Sequence, residues 1–162
     1  MNLRKKGLDA LGHVAKLLNY DDLSNKSFYN MRYYLENSQA YSKDLVSGRK
    51  NVFDSPSEFI AVRKTFRYYL GKMELNVGNL QTVLNEAQDY VDSERCAVEN
   101  SQGFIDDLRT VIDNTTKNIT FILQYTDLVQ QAAAELDKID EAVQKHLRGE
   151  NDETEDEVKD IN

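Results

Sequence analysis

Few residues in this chain could do bond chemistry. It has two histidines, His13 and His146, and one cysteine, Cys96. Neither histidine belongs to a Glu-x-x-His motif, the pattern that builds carboxylate-bridged di-iron sites in helical bundles. No Gly-rich phosphate loop, Walker sequence or dinucleotide fingerprint occurs. Cys96 has no nearby histidine to activate it and is expected on the outer face of a helix, as a plain surface or partly covered residue rather than a nucleophile. The expectation is a protein without catalytic residues, cofactor or metal.

Charged and aromatic residues are abundant and segregated. The net charge is −8, but residues 1–72 hold 13 Lys/Arg against 7 Asp/Glu, and residues 73–162 hold 7 against 21. Ten of the 15 aromatic residues fall between Phe28 and Tyr69. Such asymmetry concerns partners, solubility and assembly rather than fold. Two candidate surfaces follow. Asp92, Glu99, Asp106, Asp107 and Asp113 crowd one acidic stretch, suited to a basic groove on a partner protein. Arg63, Lys64, Arg67 and Tyr68, within the basic aromatic region 26–72, mix cations with stacking rings as nucleic-acid surfaces do.

The elements that must carry these residues are helices. A single Pro, seven Gly and 30% charged residues suit an all-α protein. An apolar ladder in alternating steps of four and three runs from Phe66 through Val98 and Ile105 to Leu147, and 19 of its 24 positions are apolar. A repeat of 3.5 residues held this long keeps one seam facing a partner helix. Polar residues in the seam argue for a hairpin: folded at 100–103, it sets Glu94 opposite Arg109 and Asp140 opposite Arg63. A parallel dimer would instead oppose like carboxylates. The expected fold is a long antiparallel coiled-coil hairpin over 55–148. Two shorter N-terminal helices, about Leu3–Asn19 and Asn25–Val46, form a bundle base at its open end, leaving residues 84–119 to project as an arm or pair with another copy.

Local signals refine these bounds. Asp21, Asp22 and Ser24 offer a break and N-caps between the short helices. Leu8, Leu11, Ala15 and Leu18 form the apolar stripe of the first. Gly48 suits a C-terminal cap, and Ser55-Pro56-Ser57-Glu58 has the parts of a capping box. Gly71 and Gly78 share one face, where another helix could approach closely. Gly149 ends the last helix, and the acidic tail 149–162 is expected to be disordered.

The lone cysteine favours a reducing, cytoplasmic setting. No apolar segment follows the basic start, and no run approaches the ~18 apolar residues of a membrane-spanning helix. Asn114-Thr-Thr and Asn118-Ile-Thr are glycosylation triplets in form only. No family signature is legible. The expected function is a non-enzymatic protein–protein interaction module, a small acidic regulator, adaptor or inhibitor of a larger protein or enzyme. Its rivals are a nucleic-acid-associated protein using region 26–72 and a self-assembling scaffold. A homodimer is also expected, from the oppositely charged halves and from apolar residues off the seam (Val83, Tyr90, Val111, Leu123 and Tyr125).

Overall fold

Residues that often interrupt helices are here absorbed into long ones. The computed structural model describes residues 8–149 and contains α1 (Ala10–Val46), α2 (Pro56–Val91), α3 (Glu94–Glu99) and α4 (Gln102–Leu147), with no strand among the described residues. The expected acidic tail, apart from Gly149, and the expected helix start at Leu3 lie outside the described residues.

The two short N-terminal helices are a single helix. Asp9 opens α1 by accepting a hydrogen bond at Oδ1 from the Gly12 N–H at 2.8 Å. Asp21, Asp22 and Ser24 do not break it, because each finds a partner in the helical conformation. Asp22 pairs with Lys26 at 2.9 Å, one turn on. Asp21 accepts from the Asn118 side chain at 2.7 Å, and the Ser24 hydroxyl donates to the Asn76 carbonyl at 3.1 Å. Local propensity for caps yields to these tertiary partners. The buried face also differs from the expected stripe. Ala10, His13, Leu17, Ser24, Met31, Leu35, Ser38 and Tyr41 are buried, whereas Leu11 is 64% and Leu18 58% exposed.

The start of α2 and the end of α1 follow the local signals. Gly48 takes φ +77°, a conformation that favours glycine, and closes α1 with its N–H donating to the Leu45 carbonyl at 3.3 Å. Pro56 is the first residue of α2. Glu58 turns its carboxylate to Lys50 rather than completing a capping box.

The ladder is buried at Phe66, Leu70, Met73, Val77, Leu80, Ala87 and Val91, and again at Leu108, Ile112, Thr115, Ile119, Ile122, Val129, Ala133, Leu136 and Val143. It fails between these runs. In place of one turn at 100–103, the chain breaks at Asp92–Ser93 and again at Asn100–Ser101, with α3 between. Ser93 causes the first break: it sits at φ −84°, ψ 154° and caps α3, its Oγ accepting from the Cys96 N–H at 3.2 Å. The pairing near these breaks differs from the expectation, whereas Arg63 stands 3.8 Å from Asp140 as expected. Arg109 pairs with Asp92 at 3.4 Å, in place of the expected Glu94, which is exposed in the first turn of α3.

The described residues divide into two compact units. The first joins α1 up to Phe28 with Met73–Gln124. Its core holds Ala10, Leu17, Val83, Ala87, Tyr90, Val91, Cys96, Leu108 and Ile112. Residues 84–119 are therefore not a bare arm, since the N-terminal part of α1 covers them. Val83 and Tyr90 are spent on this internal contact rather than on a second copy. Cys96 is fully buried, contrary to its expected surface position, because α3 turns it into this core. A polar layer sets the register of α1: Asn118 donates to Asp21 and to Asn25 at 2.8 Å, and Asn76 donates to Ser27. The Asn118 amide of the second glycosylation triplet is thus already engaged.

The second unit joins Tyr29–Lys72 with the described residues from Tyr125 onward. Three helices contribute to it, not the expected four-helix base, because the N-terminal pair is one helix. Its buried residues include Met31, Leu35, Val52, Phe59, Phe66, Leu70, Val129, Leu136, Ile139 and Val143. The Phe53 ring packs on His146 at 4.4 Å.

Gly71 and Gly78 are not sites of close approach, since a Cβ on either would meet no atom within 4 Å. Replacing each with alanine should stabilise its helix by up to about 1 kcal/mol, since glycine costs that much in a helix interior. Urea denaturation of Gly71→Ala and Gly78→Ala checks this.

Candidate interaction surfaces

The acidic candidate residues surround α3 and the start of α4, in the first unit. Asp92 accepts from Gln88 at 3.0 Å besides pairing with Arg109. Glu99 pairs with Arg95 at 3.1 Å and accepts from the Tyr90 hydroxyl at 3.3 Å. Asp106 accepts from Gln102 at 2.9 Å, while Asp107 and Asp113 stand exposed on α4. Part of this charge is therefore structural: Asp92 and Glu99 brace the turn, and Asp106 and Asp107 face outward.

Sequence reasoning missed the apolar residues among these carboxylates. Val98 is 85% exposed and Phe104 47% exposed, on either side of the Asn100–Ser101 break. Val98 falls on the ladder by spacing, but α3 turns Cys96 inward and leaves Val98 outside. Its one legible signal is the Glu99–Gly103 run that follows.

The basic candidates lie in the second unit. Arg63 stands 3.0 Å from Asp137 and 3.8 Å from Asp140, and Arg67 also pairs with Asp137. Burial raises the Asp137 pKa, but hydrogen bonds and charge from Arg67 and Arg63 outweigh it and hold the carboxyl below its usual range. Two of the four nucleic-acid candidates are thus neutralised by α4. Lys64 remains exposed, and Tyr68 joins an aromatic row.

That row is built from a repeated tetrapeptide. Arg32-Tyr33-Tyr34-Leu35 in α1 and Arg67-Tyr68-Tyr69-Leu70 in α2 are identical, a signal present in the sequence. Each Leu is buried, which leaves the preceding tyrosines at the helix–helix groove. Tyr34 stacks on Tyr69 with centroids 4.3 Å apart and planes 12° apart. Tyr33 meets Tyr34 edge-on at 5.0 Å, and Tyr68 meets Tyr69 edge-on at 5.1 Å. The neighbouring Tyr69 hydroxyl, by hydrogen bonding, raises the Tyr34 pKa above that of an ordinary phenol. Nearby, burial and the charge of Glu58 push Tyr41 up to about 12.

The remaining chemically capable residues serve packing. His13 stacks on Tyr90 at 4.7 Å, and the Asn100 amide reaches Cys96 Sγ at 3.6 Å. Among the described residues, no group of three His, Cys, Asp or Glu is placed to hold a metal ion. No helix of the described residues is long and apolar enough to cross a membrane. Comparison with protein-family models, with curated proteins and with solved structures finds no match to this chain.

Proposed function

We propose that this protein is a non-enzymatic protein–protein interaction module, a small acidic regulator, adaptor or inhibitor of a larger cytoplasmic protein. In this proposal α2 and α4 act as an antiparallel coiled-coil hairpin whose turn is the docking element. The observation that carries it is the exposure of Val98 and Phe104 beside Asp106 and Asp107. Exposed apolar side chains rimmed by polar residues mark protein interaction sites. The carboxylates steer the encounter and select a basic rim. The partner surface is accordingly an apolar pocket edged with Lys or Arg. Docking there occupies that surface without altering any bond.

A photo-cross-linking residue placed at position 106, in native lysate treated with nuclease, tests this. The expected result is one dominant cross-linked protein, lost on Val98→Ser with Phe104→Ser. A combined loss of about 2 kcal/mol corresponds to roughly 30-fold weaker binding. Cross-linking unchanged by the double substitution, or captured material confined to this chain itself, overturns the proposal.

A further inference from the structure

We propose that the tyrosine row of the second unit is a platform for single-stranded nucleic acid, separate from the turn that carries the protein-docking function. Tyr33 and Tyr68, at the two ends of the row, are 62% and 58% exposed. The Tyr34–Tyr69 stack between them braces their rings at fixed positions. Exposed rings held by packing present π-faces at low entropic cost, which is how sequence-tolerant single-strand binders capture bases. The charge fits the same occupant. Lys64 and Lys72 lie one helical turn before and after Tyr68, so cation, ring and cation share one ridge of α2. The Lys72 ammonium stands 5.6 Å from the Tyr68 centroid. The carboxylates bordering the row are already answered, Glu36 by Arg32 at 3.5 Å, and Asp137 and Asp140 by Arg63 and Arg67. The ridge is therefore locally cationic on a protein of net charge −8, and a phosphodiester backbone complements it.

The two tetrapeptides give the platform its form. Their antiparallel meeting sets one exposed ring at each end, so two bases can stack while phosphates beside the base on Tyr68 meet Lys64 and Lys72. Duplex DNA hides its base faces and cannot use the rings. Discrimination by strandedness is thus the property that separates stacking from simple attraction of anions.

Fluorescence anisotropy of a labelled oligothymidylate, titrated with the full chain at low salt, tests the inference. The expected result is binding to the single strand at least tenfold tighter than to a duplex of equal length. Tyr33→Ser with Tyr68→Ser should lower affinity at least tenfold while the protein stays folded, since both rings are largely exposed and lose only edge-on contacts. Lys64→Gln with Lys72→Gln should reduce the slope of log affinity against log salt by about 1.4, at ~0.7 per phosphate contact. Absence of binding, equal affinity for duplex, or affinity unaffected by the tyrosine substitutions overturns the inference. So does a proline-rich peptide that displaces the oligonucleotide and binds the same rings more tightly.

Discussion

Truncation of Tyr90 to alanine should destabilise the first unit by about 3–5 kcal/mol, the range for deleting a buried aromatic side chain. The residue is a hub rather than simple filling. Its ring stacks on His13 at 4.7 Å with planes 25° apart, and the Arg95 guanidinium lies 4.8 Å from its centroid. Its hydroxyl donates to Glu99 at 3.3 Å and accepts from the Asn100 side chain at 3.0 Å. Arg95 in turn donates to the Leu8 carbonyl, ahead of α1. Tyr90 thus ties the start of α1 to α3, which carries Val98, and to the break that follows it. Tyr90→Phe keeps the ring and loses only the hydroxyl contacts. Glu99 retains Arg95 and Asn100 retains the Cys96 carbonyl, so the cost should be about 1 kcal/mol. Urea denaturation gives both values. Hydrogen exchange over 93–100 should quicken strongly in the alanine variant and slightly in the phenylalanine variant. Equal effects would show that the ring contributes nothing beyond the hydroxyl.

Stability should also fall as pH drops below about 6.5, through His13. Its side chain is buried on α1, and Nδ1 has no hydrogen-bond partner among the described residues. Burial lowers its pKa from 6.5; Glu86 and Asp9 oppose this, while Arg95 and Lys16 reinforce it. The unfolded chain therefore takes up the proton at a higher pH than the folded one. The stability owed to neutral His13 is fully present above pH 6.5 and is lost as pH falls toward and through the lower folded-state pKa. One proton sets a maximum slope of about 1.4 kcal/mol per pH unit in that window. His13→Phe keeps an aromatic partner for Tyr90 and removes the titrating group. Denaturation midpoints between pH 7.5 and 5.5 should decline for the natural protein and stay nearly level for the variant. Parallel curves would assign the dependence to another group.

These two residues mark where the chain is legible as sequence and where it is not. The all-helical class and the buried runs of α2 and α4 follow from spacing, because Leu, Ile, Val and Phe repeated at heptad positions favour burial on one face. The end of α1 and the start of α2 follow equally from Gly48 and Pro56, whose backbone constraints are local. The Arg-Tyr-Tyr-Leu repeat was present to be found, but its meaning depends on the two copies meeting.

The inner face of α1 was decided only by tertiary contact. It is lined by His13, Ser24, Ser27 and Ser38 among apolar residues, while Leu11 and Leu18 point outward. Periodicity counts serine and histidine as surface residues. Yet a small hydroxyl can be buried cheaply once a distant carbonyl accepts its proton, as Asn76 does for Ser24 across 52 residues of sequence. The double break around α3 has the same origin. Ser93 can cap a new helix in any context, but the first unit rewards it by drawing Cys96 into the core and Tyr90 under His13. Sequence by itself determined that the chain is helical and which face of α2 and α4 is buried over most of their length. Partners far along the chain decided where α1 packs, where the chain turns and which side chains remain outside, because those choices depend on desolvation and hydrogen bonding that no local window contains.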